Sequence, residues 1–187
     1  MIVKTGRFGQ ITVGEEEVIT IQHGLLGFPQ YTKFCLYDAG DDTLILWLQS
    51  LDEPQIAFPL LEPKIFKPEY SARLSAMELR DLKLNSVNQS AVFTVLTIPE
   101  DVTAMTANLK APLVINLKER LARQVVLQEN EYGIKHPMFK ELRTHLVTMH
   151  SQRLQAGGNE GSPAQQLGAV VSVASIPPSL TVKSLQA

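Results

Sequence analysis

The sequence predicts a mostly β fold: a small antiparallel, barrel-like domain with one short helix, followed by an amphipathic C-terminal helix and a flexible tail. Three observations lead there. Short apolar runs rich in Val, Ile, Phe and Leu recur between turn residues from Ile2 to Leu127, which is how strands read. Over the same stretch only one helix start signal stands out, Ser75 with Glu78, a capping-box pair. After His136 the periodicity changes from that of strands to that of a helix.

The N-terminal third reads as a series of strands. Ile2-Val3, Ile11-Thr12-Val13 and Val18-Ile19-Thr20-Ile21 are β-branched and partly alternating, with Gly14-Glu15-Glu16 as the turn between the last two. Gly24-Leu25-Leu26-Gly27-Phe28-Pro29 interrupts the pattern with two glycines and a proline. It reads as a shaped loop whose apolar residues plug one end of the sheet. No Lys, Ser or Thr follows at the spacing of a phosphate-binding loop. Phe34 to Tyr37 is a further strand, and Asp38 to Asp42 an exposed turn. Leu44 to Leu48 is nearly continuous apolar sequence with the single tryptophan, Trp47, the pattern of a strand buried on both faces.

Pro54, Pro59, Pro63 and Pro68 then punctuate Ile56-Ala57-Phe58 and Lys64-Ile65-Phe66. They keep helices out and suggest edge strands and rigid turns. A helix follows at about Ala76 to Leu82, and Ala91 to Thr97 gives the clearest strand signal in the chain. Leu113-Val114-Ile115 and Val125-Val126-Leu127 flank the polar segment Asn116 to Arg123 and suggest an antiparallel pair. Thr106 and Asn108 sit beside the apolar Met105 and Leu109, where short polar side chains can bond local backbone and fix a bend. Beyond His136, Met138, Phe139, Leu142, Leu146 and Met149 recur at helical spacing, so a helix should run from about Pro137 to Gln155 and stop at Gly157-Gly158. Residues 157–187 are rich in Gly, Ser, Ala, Gln and Pro and carry only Glu160 and Lys183 as charges. This is tail composition, although Ala169 to Val173 is apolar enough to dock. The expected organisation is a barrel domain over 1–136, a helical extension over 137–156 and a tail over 157–187.

Composition narrows the function classes. The chain has 187 residues and a net charge of −2, distributed unevenly: residues 1–62 hold nine acidic residues against three basic, a net of −6, and the rest sums to +4. An acidic first third disfavours nucleic acid, whose phosphates need clustered Lys and Arg, and suits a basic protein partner. The single cysteine, Cys35, lies in an apolar run and reads as a buried structural thiol in a reducing cytoplasm. No apolar run is long enough to span a bilayer. His23, His136, His145 and His150 show no metal-site spacing and no G-x-S-x-G elbow is present, so neither cofactor nor metal nor catalysis is expected.

Several segments, taken together and in order, resemble one family. They are Gly6-Arg7-Phe8-Gly9, Gly24 to Phe28, Leu48-Gln49-Ser50, Glu62-Pro63 with Phe66, Thr97-Ile98-Pro99, Met105-Thr106-Ala107-Asn108-Leu109 with Ala111-Pro112, and Arg123-Gln124-Val125-Val126-Leu127. The chain is similar through them to the flagellar assembly factor FliW family. The resemblance implies a non-enzymatic regulator, monomeric when alone, that binds and antagonises the translational repressor CsrA and also binds flagellin. Partner switching would then couple flagellin level to its translation. Combined with the charge count, it places partner-binding residues at Leu48, Gln49, Ser50, Asp52, Glu53, Phe58, Glu62, Pro63, Phe66, Met105, Thr106 and Asn108. The alternative is a small β-barrel module for a small ligand or single-stranded nucleic acid, a function such barrels also host.

Overall fold

The computed structural model describes residues 1–40, 44–155 and 182–183. The expected tail from residue 157 to 181 and from 184 to 187, its apolar run at 169–173, and Asp41 and Asp42 of the expected turn lie outside the described residues. So do the side chains of Leu146, Met149 and Leu154.

Seven strands close into a barrel. They are β3 (Ile19–Ile21), β4 (Lys33–Asp38), β5 (Leu46–Ser50), β6 (Ala57–Leu61), β7 (Ala91–Thr97), β9 (Leu113–Asn116) and β10 (Leu121–Gln124). β3 to β7 pair in sequence, β7 pairs with β9, β9 with β10, and β10 returns to β3. Six of these pairings are antiparallel, and β10–β3 is parallel, with Leu121 opposite Thr20 and Ala122 opposite Ile21. The barrel is thus antiparallel as expected, with one parallel seam. Strand directions cannot alternate around an odd-membered ring, so one seam must be parallel. Arg120, at φ 56°, ends the turn between β9 and β10, and its carbonyl accepts the Thr20 amide at 2.8 Å across that seam.

Side-chain alternation divides the apolar residues among three cores. One face of the closed sheet fills the barrel with Phe34 and Leu36 from β4, Leu46 and Leu48 from β5, Phe93 from β7, and Leu113 and Ile115 from β9. The alternate residues of the same runs point outward. Cys35, Tyr37 and Trp47 pack beneath the hairpin of β1 (Ile2–Thr5) and β2 (Gly9–Thr12), with Val3 and Ile11. Arg7 lies 4.0 Å from the Trp47 ring centroid, a cation–π contact that pins the hairpin tip. Val114 points outward elsewhere and joins Phe66, Tyr70, Leu109, Tyr132 and Met138 in a third core outside the barrel wall. This double burial explains why these strands read as continuous apolar runs.

The short helix is α1 (Ala76–Asp81), with the Ser75–Glu78 capping box formed as its sequence predicts. β8 (Thr106–Ala107) extends the far end of β7 and pairs in turn with β11 (His136–Pro137). The C-terminal helix α2 (Phe139–Gln155) begins two residues later than expected, because Pro137 still pairs with Thr106 and the Met138 amide donates to the Met105 carbonyl at 3.4 Å. Val182–Lys183 forms β12 against β4.

Prolines behave differently from expectation at one point. Pro59 lies inside β6, between β5 and β7, and not on an edge strand. Pairing with β7 starts only at Leu60, so β6 meets β7 just past the residue that lacks an amide hydrogen.

Candidate functional site

The Leu48-Gln49-Ser50 segment builds a loop. Leu48 fills the barrel, and Gln49 and Ser50 have no accessible surface. The Gln49 Nε2 donates to the carbonyls of Ser50, Pro54 and Ile56 at 2.8, 3.0 and 3.1 Å. Ser50 Oγ accepts the Glu53 amide at 3.0 Å. Together they knit the turn between β5 and β6, and the Gly6 amide ties that turn to the N-terminal hairpin through the Pro54 carbonyl at 3.1 Å. These three side chains are thus buried, and they hold the turn that carries Asp52 and Glu53.

Asp52 is exposed, yet one carboxylate oxygen accepts the Thr32 and Lys33 amides at 2.6 and 2.9 Å. It fastens the entry of β4 to the turn. Glu53 is half-buried, and its Oε1 accepts the Gln55 amide at 3.2 Å. Phe58 is half-buried in an edge-to-face pair with Phe28, 5.2 Å between centroids.

Glu62 and Pro63 lie at the opposite end of β6, which spans roughly 16 Å at 3.3 Å per residue. The acidic residues proposed from sequence therefore occupy two surfaces. Glu62 and Pro63 border a cleft of about 450 Å³. It opens because the turn Pro63–Ile65 takes the chain away from β7 just after the Leu61–Thr94 pair. Ala91 to Phe93 are paired with β9 on one side, and among the described residues no strand pairs with them on the other. Lys64, Ser71, Asn88 and Gln89 add polar groups to the rim. A strand edge flanked by one acid, one base and amides suits an extended polypeptide better than a reacting small molecule.

Phe66 and Met105 are core residues, 3% and 9% exposed. Phe66 stacks on His136, centroids 6.2 Å apart, and His136 Nε2 lies 2.8 Å from a Glu141 oxygen. Thr106 sits in β8, and Asn108 Oδ1 accepts the Ala111 amide at 3.0 Å, fixing the local bend. Leu26 departs from the expected plug. Leu25 and Phe28 pack inward, but Leu26 is 58% exposed and borders a second cleft of about 480 Å³ beside Val126. Gly24 adopts φ +61°, and a Cβ there would come within 2.4 Å of the Phe28 carbonyl oxygen, so the loop's shape requires glycine.

Burial pushes the Cys35 thiol up to about 12, with the Glu17 carboxylate adding to it. A thiol held neutral is a poor nucleophile. Among the described residues no three His, Cys, Asp or Glu side chains are grouped to hold a metal ion, and no helix is long and apolar enough to cross a membrane.

Sequence reasoning missed the polar rim of the first cleft. Asn88, Gln89 and Ser90 carry no motif, and only the divergence of β6 from β7 gives them a cleft to line. It also missed Arg7 over Trp47, where a Gly-Arg-Phe-Gly turn ahead of a lone tryptophan offered a usable signal.

Residues 2–138 match the family model described as FliW protein. A flagellar assembly factor FliW of Bdellovibrio bacteriovorus is 47% identical over 147 residues, covering 79% of this chain and 84% of the relative. One of Alkaliphilus metalliredigens is 33% identical over 169 residues, covering 90% and 99%. The barrel is similar to a crystal structure of the flagellar assembly factor FliW, with a TM-score of 0.70 and 32% identity over 74% of this chain and 97% of that one.

Proposed function

The chain belongs to the FliW family of flagellar assembly factors, and on that premise we propose that it is a non-enzymatic, cytoplasmic regulator working by partner switching. It holds a CsrA-type translational repressor and so relieves repression of flagellin translation. Accumulating flagellin binds the protein in turn and frees the repressor. The observation that carries this reading is the family match over residues 2–138, which takes in the whole barrel and all three cores. The −6 charge of residues 1–62 supports it, since an RNA-binding repressor must present basic surface.

Asp52 and Glu53 form the acidic rim we assign to the repressor-facing surface, held out by the buried Gln49 and Ser50. Such rim charges set association rate and its salt dependence more than affinity. The cleft at Glu62 and Pro63 is a separate surface, available for an extended segment of the other partner.

Isothermal titration of the purified protein with a CsrA-type repressor and, separately, with flagellin from the same organism tests the proposal. Saturable binding of both at one-to-one stoichiometry is the expected result. Binding of neither, with tight salt-sensitive binding of leader RNA instead, would overturn it in favour of a nucleic-acid barrel.

A further inference from the structure

The edge of β4 that faces away from β5 is covered by two different strands. β5 holds one edge from Phe34 to Tyr37. On the other, β3 pairs only at Lys33 and Phe34, because the turn Glu15–Glu17 ahead of Val18 carries the chain off the sheet. The rest of that edge is taken by β12, parallel, with Val182 opposite Tyr37 and Lys183 opposite Asp38. β12 also lies near β2 of the N-terminal hairpin. It comes from outside the family-matched region, 44 residues beyond Met138.

We propose that this edge of β4 is a strand-accepting binding site whose resident ligand is the protein's own segment at Val182–Lys183. The ligand class it takes is an extended β-branched segment with an adjacent lysine or arginine. Strand addition draws affinity from main-chain hydrogen bonds that any extended peptide offers, so selectivity comes from the flanks. Here the strand end is acidic: Asp38 stands in register with Lys183. Lys183 is the only basic residue after Arg153. A strand of two residues makes few ladder bonds. Belonging to the same chain, it stays seated by effective concentration. A competing segment above that concentration replaces it. The inference does not depend on the partners proposed above.

The test uses the full-length chain and its Val182→Pro/Lys183→Pro variant, which cannot donate ladder hydrogen bonds from those two residues. Amide hydrogen exchange is followed in both, and a fluorescent peptide of residues 179–187 is titrated into each. Exchange at Leu36 to Asp38 should be about ten-fold faster in the variant, with Leu48 and Ile115 unchanged as internal controls. The peptide should bind the variant about ten-fold more tightly than it binds the wild type, whose site is already filled. Lys183→Glu, which keeps the ladder and reverses the charge, should also speed exchange at Asp38. Equal exchange in wild type and double variant, or a peptide that binds neither, would overturn the site. A Lys183→Glu chain indistinguishable from wild type would overturn the ligand class.

Discussion

Replacing Gln49 by Leu separates a loop-building role from a contact role for the Leu48-Gln49-Ser50 segment. Gln49 is fully buried, and its two amide hydrogens serve three carbonyls, at Ser50, Pro54 and Ile56. Leucine has similar volume, so the cavity contribution is small and the change is polar. Two full bonds lost cost about 1 kcal/mol each. The Pro54 carbonyl keeps the Gly6 amide and the Ile56 carbonyl keeps the Ser50 amide, so stranded acceptors add only about 1 kcal/mol. Against this, Gln49 Oε1 has no hydrogen-bond partner among the described residues, and removing a dry oxygen returns about 1 kcal/mol. The net expectation is a loss of about 2 kcal/mol, read from the denaturant midpoint at unchanged slope. Hydrogen exchange should locate the loosening in residues 51–56. Ser50→Ala, which loses the bond to the Glu53 amide, should cost about 1 kcal/mol. A Gln49→Leu protein within about 0.5 kcal/mol of wild type would refute the bookkeeping. Lost partner binding at unchanged stability would make Gln49 a contact residue after all.

Three further expectations follow from the same geometry. Because the Cys35 thiol is raised from 9.0 to about 12, the unfolded chain ionises first. Its stabilising contribution is complete below pH 9.0 and is lost as pH rises toward 12, at up to about 1.4 kcal/mol per pH unit, and Cys35→Ala should remove that part of the slope in pH-dependent denaturation. Glu53→Lys should slow repressor association several-fold at low salt and flatten its salt dependence in stopped-flow kinetics, with Glu15→Lys/Glu16→Lys as the control; Asp52→Asn should also lower stability, since its carboxylate holds the Thr32 and Lys33 amides. A fragment of residues 1–136 should melt cooperatively, and extending it to 138 should add about 2–3 kcal/mol, because Met138 is fully buried in the outer core; a non-cooperative 1–136 fragment would make α2 part of the fold.

Local signals were legible where one segment sets its own conformation. The Ser75–Glu78 box starts α1 in the structure as in the sequence, and Ala91 to Thr97 is β7 residue for residue. The run at 44–48 reads as a strand buried on both faces, and β5 is buried throughout; the runs at 34–37 and 113–115, read only as strands, are doubly buried too. What they are buried against was not legible, since one face meets the barrel interior and the other meets the hairpin or the outer core. The parallel β10–β3 seam joins residues about a hundred positions apart and leaves no trace in either strand. Pro59 misled for the same reason, because tolerance of a missing amide depends on where β7 begins to pair. The candidate site suffered most. Leu48, Gln49, Ser50, Phe66 and Met105 stand out in the sequence, yet their side chains are buried. A distinctive motif marks what the fold needs as readily as what a partner touches, and only burial distinguishes the two.

The most direct test of the partner-switching account is a competition measurement. A fluorescently labelled CsrA-type repressor is bound to the full-length protein, and flagellin from the same organism is titrated in while anisotropy is followed. The account predicts that flagellin returns the signal to that of free repressor, with the repressor regaining its leader RNA. A stable ternary complex, or a repressor that stays bound at saturating flagellin, would contradict it.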